Sequence, residues 1–283
     1  MNATLLFDRA RVKWQRQRFA GQFASVDFLL RETAGRLTER LQDVAREFSH
    51  AVLCGPHTDI LEGSLKSTRQ IKKFIHGTPE LMSYTSLLCD EEWLPFRDSS
   101  LDLFISNFSL HWINDLPGTL VQIRRALKQD GLFLAVMPGP KTLQELRASL
   151  EQAMVEIEGG IRPVISPFVE VRDAGNLLQR TGYGLPVTDS ETVTLTYTNP
   201  FDLMRELRFM GEANALVSRK QSFSRRDVFQ RAAAIYKENH TDKDGRIKAT
   251  VELVFLSGWK PAPNQQKPAA RGSGQIHMNE ALN

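Results

Sequence analysis

The chain is expected to fold as a doubly wound α/β domain around a mostly parallel seven-stranded sheet, with helices ahead of it and a helical insertion between its last strands. Three observations lead there. Short apolar runs alternate with amphipathic repeats through the first half of the chain, the order that builds a parallel sheet with helices on both faces. The runs end on glycine or acid, as strands do beside a ligand crevice. Two long Thr- and Val-rich stretches come late and read as an antiparallel edge.

The elements follow in order. FLLRETAGRLTERLQDVAREF (28–48) repeats apolar residues at helical spacing, and AVLCG (51–55) is a short buried strand closed by glycine. IKKFIHG (71–77), YTSLLC (84–89), LDLFISNF (101–108) and GLFLAVM (131–137) read as the next four strands. Between them lie the helices DILEGSLKSTR, LPGTLVQIRRALKQ and, after the last, TLQELRASLEQAMVEIE. VTDSETVTLTYT (187–198) and RIKATVELVFLSGWK (246–260) complete the sheet. The block from Pro200 to His240 is helical, with Asn199-Pro200 starting one helix and Ser224 as the N-cap of another. Forty residues between two edge strands cannot join the sheet, so this block is expected to form a lid or partner surface. The domain plan is an N-terminal arm with capping helices (1–48), a main domain (49–260) carrying the lid (200–240), and a Pro-, Gln- and Gly-rich tail (261–283) expected to be mobile.

Composition narrows the function. With 283 residues and 41% apolar content the chain can bury a large core. Thirty-six basic against 33 acidic residues, a net charge of +3, give no ground for nucleic-acid binding. The charge is nevertheless uneven: Arg9, Arg11, Lys13, Arg16 and Arg18 crowd the start against the single acid Asp8. No window approaches the 18 or so apolar residues of a membrane span, so any membrane association is expected to be peripheral. The basic start resembles an organellar presequence in composition. Trp14, Phe19, Phe23, Phe28 and Leu29 instead suggest docked helices, which favours a mature bacterial-type chain in the cytoplasm over one on the matrix side of the mitochondrial inner membrane. The two cysteines, Cys54 and Cys89, each close a strand-like run and read as buried, reduced and structural. The six histidines are scattered, and no metal-ligand spacing is present.

Chemistry is expected at the carboxyl ends of the strands. The tips are Gly55, Gly77-Thr78, Asp90-Glu91, and the loop from Asn107 to Trp112. An acid pair at a tip can accept from an amino group or a ribose hydroxyl, and can equally be a solvated turn. Asn107, Ser109, His111 and Trp112 put donors, acceptors and a stacking face into six residues.

The order DEEWLPF, LDLFISNFSLHWINDLPGTL, LKQDGLFLAVMPG resembles the class I S-adenosylmethionine methyltransferases. Outside that core, FDRARVKWQRQR, TLQELRASL, ISPFVEVRDAGNLLQRTGY, LMRELRFMGEAN with SRK, and AAAIYKE resemble one branch, that of the mitochondrial complex I assembly factor five and its bacterial relatives. A more distant likeness is to the methyltransferase of malonyl carrier protein in biotin synthesis. The resemblance covers about residues 5 to 260. It implies a Rossmann-like fold, S-adenosylmethionine as cofactor, and Asp90 as the adenine contact, with Gly55 the surviving glycine of the cofactor loop; Glu91 and Asn107, at the same strand tips, are expected to join the cofactor site. His111, Trp112, Glu212, Asn214 and Arg219 are expected on the side of a substrate or partner, which the resemblance to this branch implies is a complex I subunit.

The first-strand loop departs from the family pattern D-x-G-x-G-x-G: it reads Leu53, Cys54, Gly55, Pro56, His57, Thr58, Asp59 and keeps one glycine. Thr78 stands where an acid usually grips the ribose, with Glu80 two residues late. Losing a charged acceptor costs about 1.5 to 3 kcal/mol, and about 1.4 is tenfold in affinity. A weakened or lost cofactor site on an assembly or modification factor is therefore expected. The alternative is an active methyltransferase on a small or carrier-bound acid.

Overall fold

The computed structural model describes residues 5–220 and 225–265. Seven strands form one sheet in the order β3-β2-β1-β4-β5-β7-β6: β1 Ala51–Cys54, β2 Phe74–Thr78, β3 Leu87–Leu88, β4 Leu101–Asn107, β5 Leu127–Pro138, β6 Gly184–Tyr197 and β7 Ile247–Trp259. The first five run parallel, and β7 slots antiparallel between β5 and β6. β1 and β4 are buried along their whole length, which is why their sequences are unbroken apolar runs rather than alternations.

Helices α1 (Arg9–Phe23), α2 (Phe28–Gln42) and α3 (Thr58–Leu65) precede and follow β1. The period of two along each strand sorts residues between two cores. Leu53, Leu103, Ile105, Leu134 and Phe255 meet Leu29, Leu37 and Leu41 of α2 on one face. Val52, Phe104, Phe133 and Leu256 meet Leu120 and Ile123 of α4 (Leu116–Ala126) and Leu178 of α6 (Val171–Arg180) on the other. A third core joins α5 (Gln144–Glu158), α7 (Pro200–Phe209) and α8 (Arg226–His240) to the ends of β6 and β7, around the fully buried Tyr236.

Several boundaries differ from the sequence reading. The helix expected over 28–48 stops at Gln42, where the Gln70 amide donates to the Leu41 carbonyl of its last turn at 3.1 Å and to the Val44 carbonyl just beyond it at 2.6 Å. β2 begins at Phe74, since Ile71 makes only an isolated bridge to Phe48. β3 shrinks to two residues. α4 ends at Ala126 rather than Gln129, and β5 starts at once, with the Lys260 ammonium binding the Leu127 carbonyl at 2.6 Å. The 200–240 block holds two helices. The first ends where Gly211 turns left-handed (φ 77°), with Arg16 so near that a Cβ there would lie 2.6 Å from its Cγ. Ser224, expected as an N-cap, and most of the 261–283 tail lie outside the described residues.

The two cysteines meet across β2. Cys54 pairs in register with Gly77, and the thiols of Cys54 and Cys89 sit 3.8 Å apart above that glycine, buried. An alanine Cβ at position 77 would stand 2.7 Å from Cys89 Sγ. Gly77→Ala is expected to lower stability by about 1 to 3 kcal/mol, and Cys89→Ala in the same chain to restore part of it in urea denaturation. An equal cost with and without Cys89 would refute the steric account.

Candidate functional site

The four parallel tips converge under α1 and the segment between α7 and α8. At β1, Gly55 has φ 126°, and a Cβ there would come within 2.8 Å of Ser109 Cβ, so only glycine passes beneath the β4 loop. His57 follows in the left-handed region (φ 53°), its ring stacked 3.4 Å from that of Phe23 at the end of α1. Burial, helped by the charge of Arg16, pushes the His57 imidazole down to about 4. At β2, the Thr78 hydroxyl is spent on the Glu80 carbonyl at 2.6 Å and the Thr85 hydroxyl at 2.8 Å.

The β3 tip gathers three carboxylates on one guanidinium. Arg9, the first residue of α1, pairs with Asp90, with Glu91 at 2.7 Å and with Glu92 at 3.3 Å. Burial alone would lower the Arg9 pKa, but these three acids hold it above its ordinary value. Glu91 is buried and also accepts from the Ser109 hydroxyl. Glu92 accepts from the Asn114 N–H at 2.5 Å, just ahead of α4, whose N-cap is Asp115.

At β4, the 3-10 turn Leu110–Trp112 delivers two ring donors to one carboxylate. His111 Nε2 lies 2.8 Å from Glu212 Oε2, Trp112 Nε1 donates to the same oxygen at 2.8 Å, and Arg16 pairs with Oε1 at 3.1 Å. Burial would raise the Glu212 carboxyl, yet His111, Arg16 and Trp112 hold it down at about 2. His111 Nδ1 is buried with no hydrogen-bond partner among the described residues.

The arm closes this arrangement. Asn114 accepts from the N–H groups of Leu6 and Phe7, and residues 6 to 8 ladder with 215 to 217 through Asp8 N–H to Ala215 O (2.8 Å) and Val217 N–H to Leu6 O (3.0 Å). Phe7 meets Trp112 edge to face at 5.3 Å.

The structure thus brings Asp90, Glu91, His111, Trp112 and Glu212 together beneath α1, with Gly55 as a wall. Asn107 is turned to α2, accepting from Thr33 Oγ1 at 2.7 Å and donating to Leu30 O at 3.1 Å. Asn214 bonds the Pro163 carbonyl (3.1 Å) and Leu216 N–H (2.9 Å), and Arg219 pairs with Asp8 at 2.9 Å, so both tie the cover together. Sequence reasoning did not assign Arg9, Arg16 or Phe23 to the site. The signal for the first two was on view: α1 holds five cations and no acid, so its charge had to be met elsewhere in the fold. Among the described residues no group of three or more His, Cys, Asp or Glu could hold a metal, and no described helix is long and apolar enough to cross a membrane.

A parallel sheet extended by an antiparallel β7, with its crevice at the strand tips, defines a methyltransferase-fold protein. Residues 35–135 match the family model described as a methyltransferase domain. Two solved structures share the fold: the YcgJ protein of Bacillus subtilis (TM-score 0.53, 13% identity, 80% of this chain and 98% of that one) and BH2331 of Bacillus halodurans (0.51, 11%, 80% and 97%). Among curated proteins, the mitochondrial arginine-hydroxylase NDUFAF5 of Danio rerio is 38% identical over 291 residues, 96% of this chain and 88% of that protein. That of Homo sapiens is 38% identical over 272 residues, 90% and 76%. The malonyl-[acyl-carrier protein] O-methyltransferase of a Methylovorus strain is 31% identical over 298 residues, 95% and 98%. The chain belongs to the methyltransferase-fold family of the NDUFAF5 arginine-hydroxylases and their bacterial relatives.

Proposed function

We propose that this chain is an assembly or modification factor that acts on an arginine side chain of a protein, a subunit of a respiratory NADH dehydrogenase (complex I), and that its hold on S-adenosylmethionine is weakened or lost. The observation that carries the reading is the electrostatics of the crevice: Asp90, Glu91, Glu92 and Glu212 all face guanidinium groups, those of Arg9 and Arg16. Paired carboxylates are the natural partners of guanidinium, in charge and in fork geometry. Relatives similar to this chain through arm and lid carry the name arginine-hydroxylase. In this reading Glu212 holds the Nε2–H of His111, and Trp112 and Arg16 fix Glu212.

The residues at the tips are a poor fit for S-adenosylmethionine. The usual ribose acid is replaced by Thr78, whose hydroxyl is already engaged, and the loop after Gly55 is filled by His57 against Phe23. Asp90, matched to the adenine contact, is occupied by Arg9. Titration calorimetry with S-adenosylmethionine tests this: saturable micromolar binding overturns the weakened site and favours the second reading, an active methyltransferase, which the malonyl carrier relative supports.

The partner is tested by deleting the gene and following complex I assembly and the masses of its arginine peptides. Loss of assembly or of a modified arginine is expected; normal complex I with normal masses overturns the reading. The buried, unbridged thiols of Cys54 and Cys89 suit a reducing compartment, cytoplasmic or mitochondrial matrix.

A further inference from the structure

Three features outside the carboxylate cluster belong together. His111 is 8% exposed, and its Nδ1 has no partner among the described residues although Nε2 is held by Glu212. An orphaned buried polar atom is costly and rare, and calls for a reason. Next to the His111 imidazole lies the ring of Phe168, edge-on at 6.3 Å. Phe168 sits in the irregular segment between α5 and α6, without helix or strand to fix it. The same Phe168 forms one wall of a concavity of about 680 Å³ running along α6, lined also by Glu170, Asp173 and Arg180; His111 is not in the lining and touches it only through Phe168. That volume is within the range of ligand sites.

We propose that this concavity is the entry for a target side chain, that Phe168 is its gate, and that His111 Nδ1 is the acceptor at its inner end. The proposal rests on the arginine reading above and adds the route and the contact. The proposal takes the tautomer that donates Nε2–H to Glu212, in which Nδ1 presents a lone pair. A guanidinium passing the acids Glu170 and Asp173 can donate one N–H to that lone pair, which gives the orphaned nitrogen its missing partner. The apolar ring of Phe168 keeps water off Nδ1 until the side chain arrives. No covalent step is implied. Glu212 acts as a positioning residue, since it touches His111 and not the ligand.

The test uses the full chain and N-acetyl-arginine methylamide as probe, with the lysine counterpart as control. Imidazole ¹⁵N spectra of the free protein should show a neutral His111 protonated at Nε2, and the arginine probe should shift its Nδ1 resonance. His111→Gln keeps an amide where Nε2 bonds Glu212 but has no Nδ1, so it should retain the melting temperature while losing about tenfold or more in probe affinity. Glu170→Gln with Asp173→Asn should weaken the probe severalfold. Full binding retained by His111→Gln overturns the proposal, as does an imidazole protonated at both nitrogens, equal affinity for the lysine probe, or a probe footprint away from α6. If the footprint is correct and gene deletion leaves complex I intact, only the complex I reading falls. If deletion impairs complex I and the probe ignores His111, only this inference falls.

Discussion

Replacing Glu212 by alanine is expected to cost about 3 to 5 kcal/mol, the range for removing one partner of a buried ion pair. The residue carries an unusual load: a single carboxylate holds His111, Trp112 and Arg16, and Arg16 itself is almost wholly buried. Without it, two ring N–H groups and a guanidinium lose their acceptor in a place water reaches poorly. The loss should appear in urea denaturation and, locally, as faster amide exchange through α1 and residues 211–217, which the same carboxylate ties to the β4 turn. Glu212→Gln should fall between, because it keeps one acceptor oxygen. A loss below about 1 kcal/mol in the alanine variant would mean that Arg16 finds water or another acid, and the hub account would fail.

Acid should loosen the crevice in two stages. His57 titrates near 6.5 when exposed and at about 4 in the fold, where burial keeps it neutral against Phe23. The unfolded chain therefore takes up this proton first, and stability declines as pH falls from about 6.5 to 4. Glu212 moves from 4.5 in the open chain to about 2, so its contribution is complete above 4.5 and disappears between 4.5 and 2. Above pH 7 neither group titrates, so neither adds slope there. At about 1.4 kcal/mol for each pH unit by which a pKa is displaced, the first stage alone amounts to about 3 kcal/mol. His57→Asn, which tolerates the left-handed backbone, should flatten the profile between 6.5 and 4. An unchanged slope in that variant would remove His57 from the explanation.

The sheet was legible because its signals are local. An unbroken apolar run such as AVLC, closed by glycine, suits a strand buried on both faces, and the Thr–Val alternation of β6 suits a half-exposed strand. Helix ends were less legible: α2 stops where Gln70, distant in sequence, captures its carbonyls, and no local residue announces that. The candidate site was half legible. The acids at the β3 tip and the His-Trp loop were evident from their place after strands, whereas their partners Arg9 and Arg16 come from the opposite end of the chain. Asn107 illustrates the converse. At a strand tip it read as a ligand contact, but the strand period turns it to α2, where Thr33 and Leu30 complete its hydrogen bonds.

The position of β7 bears on how the chain is made. It lies between β5 and β6, yet it is synthesised after both. During translation β5 therefore waits with one edge open, and residues 6 to 8 wait through a longer stretch of chain for 215 to 217. Such late, non-local pairing is slow and leaves strand edges exposed to other chains. A ribosome-stalled chain ending before Ile247 would lack an interior strand rather than a terminal ornament, and would be a client for chaperones. The crevice can close only after residues 212 to 219 have emerged.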